Sequence, residues 1–244
     1  MKLVLEILRF QPESAGAARV QRFETEAGPG DRLLDALVDI QRRIDPTLAF
    51  RKSCGHGVCG SDAMLINGRE RLACKTLVKD VAAEGGPAVT VAPLRNLETV
   101  RDLIVAEEPF FKRYRAAKPY LIAPDAGPEG RERPQTPEER GAFDDATNCI
   151  LCAACFSACP VVREVNPRFI GPAAIVQASR FLEDSRDRGL ADRLAALDHP
   201  DGVWPCENRF ECTRVCPRGI KVTKLINLTK RDITRFKGAK PEGR

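Results

Sequence analysis

The sequence predicts a small α+β domain followed by an all-helical one. Three features carry that expectation: strand-period alternation at the N-terminus, one helical stretch within about the first ninety residues, and helical spacing in the last third. Residues 2–10 put Leu3, Leu5 and Ile7 on one face, and Val20 with Phe23 marks a second strand after a Pro- and Gly-containing break, so the two read as a hairpin. Asp31 stands where it can cap a helix with Leu33, Leu34, Leu37, Ile40 and Ile44 on one side, stopped before Pro46. Ala63 to Ile66, an Asn67-Gly68 turn and Arg71 to Cys74 read as another hairpin, with Val89 and Val91 in a final strand. Residues 121–137 hold four prolines and two glycines and read as a linker or surface loop. Beyond them Gly171-Pro172 opens a helix with Ile175, Val176, Ala178 and Phe181 or Leu182 facing inward. Residues 190–197 and 220–236 read as further helices.

A chain of 244 residues can hold two modest domains, each with its own core. No run of eighteen or more apolar residues occurs, so no bilayer-spanning helix is expected. The segment MKLVLEILRF alternates apolar with charged residues and no small-residue cleavage site follows, which reads as a strand and not a signal. Ten cysteines without a secretion signal point to a reducing compartment, by default the cytoplasm, where thiolates serve metals more often than disulfides. The net charge of +5 is unevenly placed: from Arg209 to Arg244 eleven Lys or Arg stand against three acids. That run is either a solvated basic tail or a face for anionic lipid or an acidic partner. With little aromatic interleaving and no binding motif, it does not suggest nucleic acid.

The cysteines fall into three groups: Cys54-x4-Cys59 with Cys74; Cys149-x2-Cys152-x2-Cys155-x3-Cys159-Pro160; and Cys206-x5-Cys212-x3-Cys216-Pro217. The first spacing is that of a plant-type [2Fe–2S] loop, C-x4-C-x2-C with a distant fourth cysteine. Its third position is Asp62 here. Either the site has lost a ligand and is dead, or a carboxylate replaces the thiolate. A carboxylate is an anionic oxygen donor able to bind ferric iron, which makes Asp62 the candidate fourth ligand beside Cys54, Cys59 and Cys74. Gly55, Gly57 and Gly60 let the loop wrap closely enough for backbone N–H groups to point at the sulfurs. They also spell G-x-G-x-x-G, with Asp80 about twenty residues on. A dinucleotide fingerprint, however, needs a strand before it and a helix at its third glycine, whereas Ser61 to Ile66 reads as strand. His56 reads as an exposed loop residue, not a ligand.

The second group is the bacterial ferredoxin run, in which three cysteines hold a [4Fe–4S] cube and the fourth reaches the other cluster. Cys149, Cys152 and Cys155 therefore pair with Cys216, and Cys159 belongs with Cys206 and Cys212. In the third group the middle cysteine position is Arg209. Three thiolates imply a cluster lacking one iron corner, [3Fe–4S]. Zinc would use four-ligand sets such as paired CxxC knuckles, which two proline-terminated runs with crossed ligation fit poorly. A c-type haem needs CxxCH, which is absent. Three clusters in a row make an electron wire.

Cys54-Gly-His-Gly-Val-Cys59-Gly-Ser-Asp62, Cys149-Ile-Leu-Cys152, Phe169-Ile-Gly-Pro172, Asp184-Ser-Arg-Asp187 and Cys212-Thr-Arg-Val-Cys216-Pro217 closely resemble the iron–sulfur subunit of succinate dehydrogenase and fumarate reductase. The likeness covers almost the whole chain. It implies a β-grasp, plant-type ferredoxin-like domain over 1–105 and an all-α, helical ferredoxin-like domain over 106–244, with [2Fe–2S], [4Fe–4S] and [3Fe–4S] clusters in that order. It further implies a separate FAD-containing flavoprotein subunit that oxidises succinate to fumarate, a membrane anchor, and a quinone that receives the electrons. By that resemblance the chain sits peripherally on the cytoplasmic face of a bacterial inner membrane, and no substrate acid–base chemistry is expected in it. Many relatives carry tryptophans at the positions of Arg163 and Glu164, a histidine at that of Glu207 and an isoleucine at that of Arg209, while Pro160 is kept. These four departures read either as a different acceptor surface or as ordinary surface charges. Two competing functions are a wire serving another, soluble flavoprotein, and a zinc-held interaction module. The same clusters also carry electrons in reverse, as a quinol:fumarate reductase does.

Overall fold

Strand β1 (Lys2–Arg9) buries Leu3, Leu5 and Ile7 on one face, as its alternation requires, and pairs antiparallel with β2 (Arg19–Glu26), Leu5 lying opposite Phe23. The structure is a computed structural model and describes residues 1–12, 17–84, 87–123 and 132–239. Helix α1 (Leu33–Arg43) buries Leu33, Leu34, Leu37 and Ile40. Its N-cap is Arg32, not Asp31: the Asp35 carboxylate accepts the Arg32 N–H at 3.0 Å, while Asp31 accepts the N–H of Gly28 one turn earlier. Ile44 follows the helix as its C-cap and is exposed, so it does not extend the apolar side.

Strands β3 (Ala63–Ile66) and β4 (Arg69–Leu72) form a hairpin about Asn67 (φ 50°) and Gly68 (φ 73°). Two successive residues at positive φ are what a type I′ turn demands. The strand starts at Arg69, two residues before the expected point, and Ala73–Lys75 is a 3-10 turn that carries Cys74. Helix α2 (Val78–Glu84) and strand β5 (Val89–Ala92) follow. Strand β5 runs parallel to β1 and antiparallel to β3, giving the sheet order β2-β1-β5-β3-β4. It is not the last strand: β6 (Thr99–Arg101) and β7 (Ile104–Val105) make a second, two-stranded sheet.

The chain divides into two compact units, Met1–Pro109 with Ile150–Ala158, and Phe110–Cys149 with Cys159–Arg244. In the first, sheet and α1 enclose a core that includes Leu5, Ile7, Phe23, Leu37, Met64 and Val91. The second contains most of α3 (Glu108–Ala116), then α4 (Pro137–Thr147), a π-helical turn (Val161–Val165), α6 (Pro172–Leu182), α7 (Leu190–Leu197) and α9 (Val222–Ala239). The short helices α5 (Ala154–Ser157) and α8 (Glu211–Arg214) sit inside the two cysteine runs. Helix α6 is buried nearly all round because α4, α7 and α9 all pack on it. Helices α3 and α4 were not expected. Of the stretch read as a linker, 124–131 lies outside the described residues; its last residue, Pro137, opens α4 behind a Thr136–Glu139 capping box.

The turn between β6 and β7 carries a fully buried carboxylate. Asp102 accepts the N–H groups of Phe10 (3.0 Å) and Ala49 (2.9 Å), and it lies 3.0 Å from Nε of Arg9. Arg9, itself 2% exposed, donates onward to Asp45 (2.6 Å), Gln21 (2.8 Å) and Thr47 (2.9 Å). A buried guanidinium needs such partners, since desolvation disfavours its charge. Asp102→Asn tolerates the same positive φ but removes the charge. It is expected to destabilise the holo chain by about 3 kcal/mol, read as a lower urea midpoint at unchanged slope; an unchanged midpoint would show the pair to be dispensable.

Candidate metal centres

Around the first cysteine group the loop backbone turns inward. Gly55, Gly57 and Gly60 all have φ between 72° and 78°, and the N–H groups of His56, Val58 and Cys59 converge on Cys54 Sγ, each at 3.4 Å. Those donors, led by His56, pull the Cys54 thiol down to about 6, which favours the thiolate. Cys59 Sγ lies 3.2 Å from Ser61 Oγ. Cys74 is buried, and burial, followed by the neighbouring Asp62 carboxylate, pushes its thiol up to about 12. His56 is exposed, as expected. No helix opens at Gly60 and no strand precedes Gly55, so the glycine pattern is not a dinucleotide loop.

Asp62 is 2% exposed. Its Oδ2 accepts the N–H of Cys74 at 2.6 Å, but Oδ1 is shielded from solvent and has no hydrogen-bond partner. A lone buried carboxylate oxygen is costly and uncommon, and a cation bound to it would offset that cost. The donor set of three sulfurs and this oxygen therefore fits a [2Fe–2S] cluster.

In the second unit Cys159, Cys206 and Cys212 line one small recess. Val161, Phe169, Pro172 and Ile226 supply its apolar wall; Pro160, Glu207 and Arg209 also line it. Burial pushes the Cys159 thiol up to about 11, against N–H groups of Val162 and Val161, and burial raises Cys212 as well. Such thiols bind metal as thiolates, releasing their protons to solvent as they do so. Cys212 Sγ is 3.5 Å from Thr223 Oγ1, at the start of α9, and Lys230 donates to the Cys206 carbonyl at 2.8 Å. Three thiolates around an apolar recess fit a [3Fe–4S] cluster. Among the described residues no three or more His, Cys, Asp and Glu side chains are grouped tightly enough for a single metal ion.

The two long cysteine runs share one local backbone. Leu151 and Ala153 have positive φ (54° and 60°), two and four residues after Cys149, and helix α5 begins one residue later. Asn208 and Phe210 (57° and 63°) stand at the same offsets from Cys206, and α8 begins at the same place. In that register Cys155 matches Cys212, Cys159 matches Cys216, and Arg209 holds the place of Cys152. The Arg209 guanidinium reaches Glu207 at 2.9 and 3.0 Å. Of the four cysteines expected around the cube, Cys152 and Cys155 belong to the first unit and Cys149 and Cys216 to the second. Arg163 and Glu164 lie on the π-helical turn, outside the cavity lining, and pair with each other at 2.7 Å. The hydroxyls of Ser61 and Thr223 beside cysteine sulfurs were not anticipated; the only sequence signal was a small hydroxyl residue near a ligand or at a helix start.

Asp62→Ala is expected to abolish the reduced-state electron paramagnetic resonance (EPR) signal of the [2Fe–2S] cluster, whereas Asp62→Cys retains it. Equal signals in both variants would show that Asp62 is not a ligand.

Comparison with known proteins places the chain among iron–sulfur proteins. A family described as "2Fe-2S iron-sulfur cluster binding domain" matches residues 4–112, and one described as "4Fe-4S dicluster domain" matches residues 145–220. The chain is 42% identical over 230 residues to the fumarate reductase iron-sulfur subunit of Mycobacterium tuberculosis, covering 94% of this chain and 92% of that one. It is 40% identical over 226 residues to the succinate dehydrogenase iron-sulfur subunit of Coxiella burnetii, covering 92% and 94%. A solved structure of the Mycobacterium smegmatis Sdh1 complex in the apo form contains a chain with TM-score 0.86, 26% identity and 99% coverage of both. The N-terminal part is thus a ferredoxin-like [2Fe–2S] domain and the C-terminal part a 4Fe-4S dicluster domain, and the chain belongs to the family of succinate dehydrogenase and fumarate reductase iron–sulfur subunits.

Proposed function

We propose that the chain carries electrons between an FAD-containing flavoprotein subunit and a quinone at a membrane anchor, as the electron-transfer subunit of a succinate:quinone oxidoreductase. The [2Fe–2S] cluster is held by Cys54, Cys59, Asp62 and Cys74 within a β-grasp domain over 1–105. The [4Fe–4S] cluster is held by Cys149, Cys152, Cys155 and Cys216, and the [3Fe–4S] cluster by Cys159, Cys206 and Cys212, in a helical ferredoxin-like domain over 106–244. The five-stranded mixed sheet with α1, and the packing of α4, α7 and α9 around α6, support those two labels. When bound, the clusters supply one-electron transfer between a two-electron flavin and a quinone. The chain's own residues hold the sulfurs, aim N–H groups at them and keep water from the buried thiolates. No described helix is long and apolar enough to cross a membrane; peripheral attachment on the cytoplasmic face of a bacterial inner membrane is part of the proposal. The proposal holds for either direction of electron flow.

The observation that carries this proposal is the shared backbone of the two cysteine runs, with Arg209 in the place of a cube-binding cysteine. Arg209→Cys is accordingly expected to convert the three-iron cluster to a four-iron one: the EPR signal of the oxidised chain disappears and an extra signal arises on reduction. An oxidised-state signal unchanged by the substitution would overturn the assignment.

On the acceptor side, Pro160, Glu207 and Arg209 line the recess that holds the three cysteines, with Arg163 and Glu164 as a separate exposed pair. Exposed ion pairs contribute little to stability, so replacing them tests function without unfolding the chain. Glu207→Ala and Arg163→Ala are expected to raise the KM for quinone about tenfold in the assembled complex; unchanged quinone kinetics would make these residues ordinary surface charges.

A further inference from the structure

Residues 150–158 carry Cys152 and Cys155 and pack with the first unit, Ile150 and Cys152 lying against its core. Ser157 is fully buried; its hydroxyl donates to Glu70 Oε1 at 2.8 Å and accepts the N–H of Arg95 at 2.8 Å. Glu70, on β4, is 6% exposed, with the Arg95 guanidinium 3.7 Å away. Asn96, at φ 61°, donates its side-chain amide to the carbonyls of Phe156 (2.8 Å) and Ser157 (3.0 Å). Those are terminal carbonyls of α5, which a four-residue helix cannot satisfy internally.

Gly60 closes the same arrangement from the other side. A Cβ there would lie 2.7 Å from Cys152 Cβ, 3.0 Å from its Cα and 3.2 Å from the Ile150 carbonyl oxygen. Its φ of 73° independently favours glycine. Gly60 follows Cys59 directly and stands two residues before Asp62, so a loop that carries ligands of the first cluster touches the turn that carries ligands of the second.

We propose that Gly60 and the Ser157–Glu70–Asn96 clamp are positioning residues: they press the Cys152–Cys155 turn against the Cys59 loop and set the separation across which an electron passes from the first cluster to the second. The proposal rests on the cluster assignment above. In that step one electron leaves the reduced [2Fe–2S] cluster, oxidising it, and reduces the [4Fe–4S] cluster; no bond forms or breaks. Electron tunnelling falls off steeply with donor–acceptor separation, so a loosened contact slows the step.

The test compares the full chain in its native complex with Gly60→Ala, Ser157→Ala, Glu70→Ala and Glu70→Gln. The readouts are the cluster EPR signals, the enhancement of [2Fe–2S] spin relaxation by the reduced [4Fe–4S] cluster, and the rate of intercluster transfer after flash reduction. The first three variants are expected to keep both signals, weaken the relaxation enhancement and slow intercluster transfer. Glu70→Gln keeps the acceptor for Ser157 and should behave as the unsubstituted chain does. If Gly60→Ala fails to assemble, the two clamp variants carry the test. Unchanged enhancement and rate in variants that retain both clusters would overturn the positioning role. Absence of the two signals from the unsubstituted chain would instead overturn the cluster assignment beneath it.

Discussion

Backbone N–H groups aimed at a sulfur stabilise its thiolate, and left-handed turns let a chain aim several of them at one point. Such turns recur in all three cysteine groups. In the first loop glycines at 55, 57 and 60 make them without steric penalty, and three N–H groups converge on Cys54. In the other two runs Leu151, Ala153, Asn208 and Phe210 adopt positive φ instead, at a cost of roughly 1–2 kcal/mol for each non-glycine residue. Such strain persists only where surrounding contacts over-determine it. Buried Phe156 and Ser157 help to fix the first of these turns, and Cys212 against Thr223 helps to fix the second.

Buried charge is handled in two ways. Arg9 and Asp102 form an ion pair within the protein, and they lock the small second sheet to β1 and to the segment after α1. Asp62 is satisfied at one oxygen only. The first arrangement is closed by opposite charge within the protein; the second leaves an oxygen that a bound cation would satisfy. The same comparison separates Arg209 from Cys152: one backbone position, but a guanidinium that turns to Glu207 and leaves three thiolates around an apolar recess.

Much of this was legible in the sequence because cysteine spacing and strand alternation are short-range signals. The Cys54–Cys59–Asp62 loop, the Asn67-Gly68 hairpin turn and the Gly171-Pro172 helix start all depend on residues within a few positions of one another. Helix α3 was not legible, since EPFFKRYRA has only Phe110 buried, and α4 was hidden because Pro134 and Pro137 resemble a linker when Thr136–Glu139 capping is not considered. Asp31 failed as a cap because Gly28 competes for its carboxylate. The Ser157–Glu70 hydrogen bond joins positions 87 residues apart, and no local pattern announces a pairing at that range.

The most direct test of the central claim is low-temperature EPR of the native holo chain during a redox titration, with iron and sulfide counted on the same sample. The account predicts three separate transitions: one three-iron signal present only when oxidised, and [2Fe–2S] and [4Fe–4S] signals that appear on reduction. A colourless protein with stoichiometric zinc, or a titration with no three-iron signal, would contradict it.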